Sequence, residues 1–138
     1  MNKFSLLILS VFAFASLTFV SCQPDEDPTP ADDRDKYVDQ WVCNENSSQI
    51  GQNSYIIHIN KSTTNSGQIL IENLYNIGFN YKATADVSGS SFNIPQQTYY
   101  SNQLRGSGTM PGNNTINLTY YIDNGTTIDT CVATLTRQ

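Results

Sequence analysis

The 138 residues carry twelve acidic side chains against seven basic ones, a formal charge of −5 at pH 7. That balance excludes the basic face that nucleic-acid binding requires. One histidine and three cysteines leave little material for a metal site, and no metal and no cofactor are expected.

The chain opens with a lone Lys3, an apolar run over residues 4–20 and Ser21 before Cys22. A positive start, an apolar stretch and a small residue at the cleavage point are the parts of a secretory signal, so residues 1–21 are expected to be a signal peptide. The segment Phe19-Val20-Ser21-Cys22 resembles a bacterial lipobox. That resemblance implies that Cys22 becomes the first residue and carries diacylglycerol and an acyl chain such as palmitate, and two or more chains hold a protein to a membrane lastingly. Residues 22–35 follow with three prolines, six acids and Arg34. Such a stretch cannot offset its ordering entropy by burial and reads as an extended, self-repelling tether. Its acidic cluster resembles the export signal of surface lipoproteins in Bacteroidota, which implies the outer membrane and an outward-facing domain; a periplasmic tether is the alternative.

Residues 36–138 then hold six acids and five bases, a nearly neutral domain. Helical periodicity is missing, and short segments alternate apolar with polar side chains, the mark of strands. A strand is expected near residues 37–43. Tyr55, Ile57 and Ile59 share one face of the next; residues 68–74 form another; Tyr81, Ala83, Ala85 and Val87 alternate with Lys82, Thr84 and Asp86. Phe92 and Ile94 run to Pro95, which lacks an N–H and is expected at a strand end or edge. Residues 104–110 precede Ile116, Leu118, Tyr120 and Ile122, and the last strand spans residues 129–136 with Cys131, Ala133 and Leu135 on one face. Turn residues such as Asn65-Ser66-Gly67, Ser88-Gly89 and Asp123-Asn124-Gly125 separate these runs. About eight strands in sequence predict an all-β fold, a small antiparallel up-and-down meander barrel whose interior just fits side chains or one small ligand. Gly106 and Gly108 share a face inside one strand. They are expected either to let the sheet coil tightly over an aromatic ring such as Trp41 or to leave ligand space.

With Cys22 assigned to lipid, Cys43 and Cys131 remain on the first and last strands, and in an oxidising compartment such a pair reads as a disulfide closing the barrel. The domain start Asp35-Lys36-Tyr37-Val38-Asp39-Gln40-Trp41 and the end Cys131-Val132-Ala133-Thr134-Leu135-Thr136-Arg137 resemble small lipocalin-like lipoproteins of Bacteroidota. The resemblance implies that Trp41 packs near Arg137, with Asp39 standing where lipocalins carry glycine.

Catalytic patterns are weak. His58 is the only base for a serine triad, and no motif selects two acids among Asp39, Glu45, Glu72, Asp86, Asp123 and Asp129. The reading is therefore a non-catalytic envelope module. Trp41, Tyr55, Ile57 and Tyr120 are the candidate lining for a small apolar ligand. Tyr100 and Tyr121, each next to an inward tyrosine and so on the opposite face of its strand, are candidates for recognising a glycan or an envelope protein, with the stretches 44–53 and 60–67 as loops.

Overall fold

The computed structural model describes residues 31–138; the expected signal, Cys22 and the first part of the tether lie outside the described residues. Eight strands follow in order: β1 (Asp39–Ser47), β2 (Gly51–Lys61), β3 (Gln68–Glu72), β4 (Lys82–Ser88), β5 (Ser91–Tyr99), β6 (Asn102–Gly112), β7 (Thr115–Asp123) and β8 (Ile128–Arg137). Each pairs antiparallel with the next, and β1 pairs with β8 from Trp41↔Arg137 to Ser47↔Cys131, so the sheet closes into the expected barrel. Closure removes the unpaired edges that would template association.

Alternation explains which side chains go inside. On β7 Ile116, Leu118, Tyr120 and Ile122 are buried, while Thr115, Asn117, Thr119 and Tyr121 face out; β8 does the same with Cys131, Ala133 and Leu135 against Thr130, Val132, Thr134 and Thr136. The register opposes Leu118 to Ala133 and Tyr120 to Cys131, so large side chains meet small ones across the seam. The paired glycines serve the same end. A Cβ on Gly108 would lie 2.2 Å from Phe92 Cζ, and one on Gly106 would lie 2.6 Å from the Thr119 carbonyl oxygen. The sheet does coil over an aromatic ring, but the ring is Phe92 and not Trp41.

Strand direction sorts the connections into two ends. The base holds the N-terminal segment, the 62–67 loop and the turns at 89–90 and 113–114. The mouth holds the hairpins at 48–50, 100–101 and 124–127 and the longer 73–81 loop. At the base, a 3-10 turn over Asp35–Tyr37 inserts Tyr37, whose ring meets Phe92 edge-on at 5.5 Å and whose hydroxyl donates to the Gly89 carbonyl at 3.1 Å. At the mouth, a second 3-10 turn, Leu74–Asn76, buries Leu74, and the Tyr99 hydroxyl donates to the Leu74 carbonyl at 3.0 Å. Asn73 shapes this loop: its amide donates to the Ile56 carbonyl at 2.7 Å and accepts from the Gly78 N–H at 2.7 Å.

Several expectations need correction. β1 runs on to Ser47 and β2 starts at Gly51, so the expected 44–53 loop is mostly strand. β3 stops at Glu72, and Tyr81 lies outside the core. Pro95 sits within β5, at a register shift between Ile94 and Gln97 where a ladder N–H is not required. Nearby, the β4–β5 ladder covers only Asp86↔Asn93 to Ser88↔Ser91, and the Gln97 amide takes over. It accepts from the Thr84 N–H and donates to the Thr84 carbonyl, both at 2.9 Å, as a neighbouring backbone would. The end of the acidic segment is docked. Arg34 pairs with Asp32 at 2.7 Å and donates to the carbonyls of Ser62 and Asn65 at 3.2 Å, while Lys61 pairs with Asp32 at 3.0 Å.

The expected Cys43–Cys131 disulfide is not formed; both thiols are free and buried. The first and last strands are neighbours, as the pairing required, but Cys43 stands opposite Leu135 and Cys131 opposite Ser47. A four-residue offset corresponds to roughly 13 Å along a strand, whereas a disulfide spans Cα atoms no more than ~7 Å apart.

Candidate binding surfaces of the barrel

The residues expected to line a ligand cavity form the core instead. Trp41, Ile57 and Tyr120 are 0% exposed and Tyr55 is 8% exposed, packed in one cluster with Ile59, Phe92, Leu118 and Leu135. Trp41 is fixed from two sides: its indole N–H donates to the Tyr37 carbonyl at 2.9 Å, and the Arg137 guanidinium lies 4.5 Å from its ring centre. The Trp41–Arg137 contact implied by the lipocalin resemblance is therefore present. Arg137 also donates to the carbonyls of Lys36 at 2.6 Å and Asn113 at 3.1 Å, and it pairs with Asp39, which occupies the glycine position of the lipocalin pattern. This arginine closes the base over the indole.

The upper core is polar. Glu45 and Asp129 are buried at 5% and 4% exposure, and no base pairs with either among the described residues. Glu45 Oε2 accepts from the hydroxyls of Tyr55, at 2.6 Å, and Tyr120. Asp129 Oδ2 accepts from Ser47 Oγ at 2.5 Å and Tyr75 Oη at 2.8 Å; its Oδ1 accepts from Ser48 Oγ at 2.9 Å and the Gln49 N–H at 3.1 Å. Tyr75 joins the two clusters, since its backbone N–H donates to the Tyr55 hydroxyl at 3.0 Å. Burial opposes the charge on Asp129, yet the donors from Ser47, Tyr75, Ser48 and Gln49 outweigh it and hold the carboxyl below its ordinary value. Burial pushes the Tyr55 and Tyr120 hydroxyls up, with Cys43 adding at Tyr55 and Glu45 at both, which keeps them as donors. Burial also pushes Cys43 and Cys131 up to about 12, Glu45 adding in each case, so both are inert thiols at neutral pH. Each acid is spent on holding loops and strands together. Nothing local in the sequence distinguishes Glu45 and Asp129 from the other four acids of residues 36–138, so no motif singles out this pair.

The outer face divides by charge. Around β2, β3 and β4, Lys82 pairs with Glu72 at 2.8 Å, His58 lies 3.7 Å from Glu72, and Gln68 donates to Asp86 at 2.8 Å. His58 stacks on Phe79 at 4.5 Å. From β7 through β8 and β1 to the start of β2, the outward side chains below the rim are Thr, Asn, Gln, Ser, Val and Tyr.

Hollows lie on this exterior among the described residues. One of about 420 Å³ runs across β8, β1 and β2 over Asn44, Asn46, Gln52, Ser54, Val132 and Thr134, with Glu45 between the two asparagines turning its carboxylate inward to Tyr55 and Tyr120. A second of about 340 Å³ crosses β5, β6 and β7, and includes Tyr121 with the Arg105 guanidinium 4.9 Å from its ring centre. A third of about 200 Å³ opens at the mouth over Tyr75 and Asp129. None of the three reaches Trp41, Ile57 or Ile59. Both tyrosines expected to face outward are exposed to solvent: Tyr100 lies not on a strand face but in the 100–101 connection, 61% exposed and edge-on to Tyr81 at 5.1 Å, and Tyr121 is half-buried on the outer face of β7. Asn73, Tyr75, Asn76 and Tyr100, the non-glycine residues with positive φ, all belong to mouth connections. Backbone held in that region is strained by ~1–3 kcal/mol per residue and persists where surrounding contacts enforce it.

No protein-family model matches the chain, and no curated protein matches it. Solved structures share its fold. A barrel named EF1p2_mFAP2b, bound to DFHBI, aligns over 78% of this chain and 99% of its own at 16% identity with a TM-score of 0.56. A redesigned β-barrel aligns over 78% of this chain and 96% of its own at 10% identity, also with a TM-score of 0.56. At such identities the likeness is one of architecture.

Proposed function

We propose that this chain is a non-catalytic binding module of the bacterial cell envelope, held to the outer membrane by acyl chains on Cys22, facing outward, and engaging its ligand or partner on the outside of a solid barrel. The signal pattern and lipobox-like segment before Cys22 support the anchor. The docking of Asp32 and Arg34 beside the base supports the polarity, because it places the tether at one end and leaves mouth and upper walls turned away from the membrane. A barrel of this architecture carries DFHBI in another protein, which supports binding as a role for the fold. One observation carries the choice of the exterior: Trp41, Tyr55, Ile57 and Tyr120 fill the interior that a small apolar ligand would need.

Labelled palmitate tests the anchor. Cells expressing the chain should incorporate it, and Cys22→Ser should abolish incorporation while the protein is still made. Protease added to intact cells should remove the barrel; survival of the barrel until the outer membrane is permeabilised would contradict the outward orientation.

A further inference from the structure

We infer that the groove across β8, β1 and β2 is a binding site for a neutral glycan, a deepening that rests on the exterior-binding reading above. The groove measures about 420 Å³, within the ~300–1,000 Å³ range of small-molecule sites. Its chemistry narrows the occupant. Nucleic acid and acidic polysaccharides need cations to replace their counterions, and no basic side chain lines it. A protein partner is anchored by aromatic and arginine side chains, and the groove offers neither. An acyl chain needs a continuous apolar floor, whereas here Val132 is the single apolar side chain among amides and hydroxyls, and the Glu45 carboxylate beneath them is turned inward to Tyr55 and Tyr120.

What remains is a strip of uncharged donors and acceptors in two rows, Val132–Asn46–Gln52 and Thr134–Asn44–Ser54, with one apolar side chain at its β8 margin. Val132 is 56% exposed, and the register places it directly opposite Asn46 on β1 and Thr119 on β7. A sugar ring has the complementary form, an apolar C–H face edged by hydroxyl groups. One of the amides is also set in advance. Ser54 Oγ donates to Asn44 Oδ1 at 2.9 Å, which fixes the amide plane and leaves its NH₂ to donate. Because these side chains stand on paired strands of a closed sheet, their spacing is held by the backbone, and little ordering entropy is lost on binding.

The test uses the full chain in detergent against immobilised maltoheptaose, cellohexaose and linear mannan as neutral probes, with polygalacturonate and heparin as acidic ones. At least one neutral probe should be retained and neither acidic one, with the same affinity at 50 and 500 mM NaCl, because no ion pair is involved. Val132→Glu, an exposed change that leaves the core untouched, should weaken retention at least tenfold; Asn46→Ala should weaken it severalfold; Tyr100→Ala at the mouth should leave it unchanged. Failure of every neutral probe, preference for an acidic one, or full retention by Val132→Glu would overturn the assignment. Retention lost in Tyr100→Ala but kept in Val132→Glu would move the site to the mouth, overturning the groove and leaving exterior binding in place. Quenching of Trp41 emission by the bound probe would overturn both.

Discussion

Asp129→Ala should destabilise the folded chain by roughly 3 kcal/mol, because it strips the acceptor from buried or half-buried donors that each cost ~1–3 kcal/mol when left unpaired, less what water restores near the mouth. Those donors come from β1, the 48–50 hairpin and the 73–81 loop: Ser47, Ser48, the Gln49 N–H and Tyr75. Urea unfolding should show the loss as a lower midpoint at unchanged slope. Tyr75→Phe removes a single donor and should cost about 1 kcal/mol. The pH dependence has a definite sign. Asp129 titrates lower in the folded chain than its ordinary value, so its contribution is fully present above the unfolded value of about 3.9 and disappears as pH falls through the lower folded value. Asp32, held down by Arg34, and Asp39, held down by the Gln40 N–H and Arg137, add in the same direction. Asp129→Asn should therefore lose stability less steeply than the parent below about pH 4. Equal slopes would show that the carboxylate is not the latch.

Gly108→Ala should cost about 2–3 kcal/mol, at the upper end of what overpacking a core usually costs. The added methyl would sit 2.2 Å from Phe92 Cζ and 2.6 Å from Cε1, and Phe92 has no room to withdraw because Tyr37 stands edge-on behind it at 5.5 Å. The steric origin is separable from any loss of glycine flexibility. Phe92→Leu vacates the end of the ring, so in that background Gly108→Ala should become nearly neutral, a coupling of 1 kcal/mol or more in a double-mutant cycle. Gly106→Ala provides the contrast, since its methyl would meet the Thr119 carbonyl oxygen and Tyr120 Cβ, each at 2.6 Å. Phe92→Leu should not rescue it. Additive costs for Gly108 and Phe92 would show that the close approach of ring and strand is not what requires glycine.

Much of this fold was legible because its strands obey period two. Ile116, Leu118, Tyr120 and Ile122 on β7 and Cys131, Ala133 and Leu135 on β8 all point inside, and the turn pairs separate eight runs that have nowhere to go but round a cylinder. The failures share a physical cause, which is that they depend on register or on distant partners. Cys43 and Cys131 lie on adjoining strands, yet the stagger that closes the barrel, invisible in either segment, sets them four positions apart. The first strand is expected only to residue 43, short of Glu45, whereas β1 runs on to Ser47. In the folded chain Glu45 points inward, satisfied by Tyr55 and Tyr120 from 10 and 75 positions away. Asn73 and Leu74 read as the tail of a strand, but Asn73, Tyr75 and Asn76 adopt positive φ, which no periodicity announces for residues with side chains. The candidate site was half visible. Tyr121 faces outward as alternation required, Tyr100 is exposed instead by the positive-φ turn that ends its strand, and the neutral groove emerges only once β8 is laid beside β1.

A single tryptophan in the sequence, fully buried in the packed interior above the base that Arg137 closes, makes the decisive measurement simple. Titration of residues 31–138 with cis-parinaric acid, following Trp41 emission, should give no saturable quenching and no energy transfer to the probe. Stoichiometric quenching that saturates would mean that Tyr37, Leu74 and the core between them part to admit an apolar molecule, and the solid barrel would have to be given up.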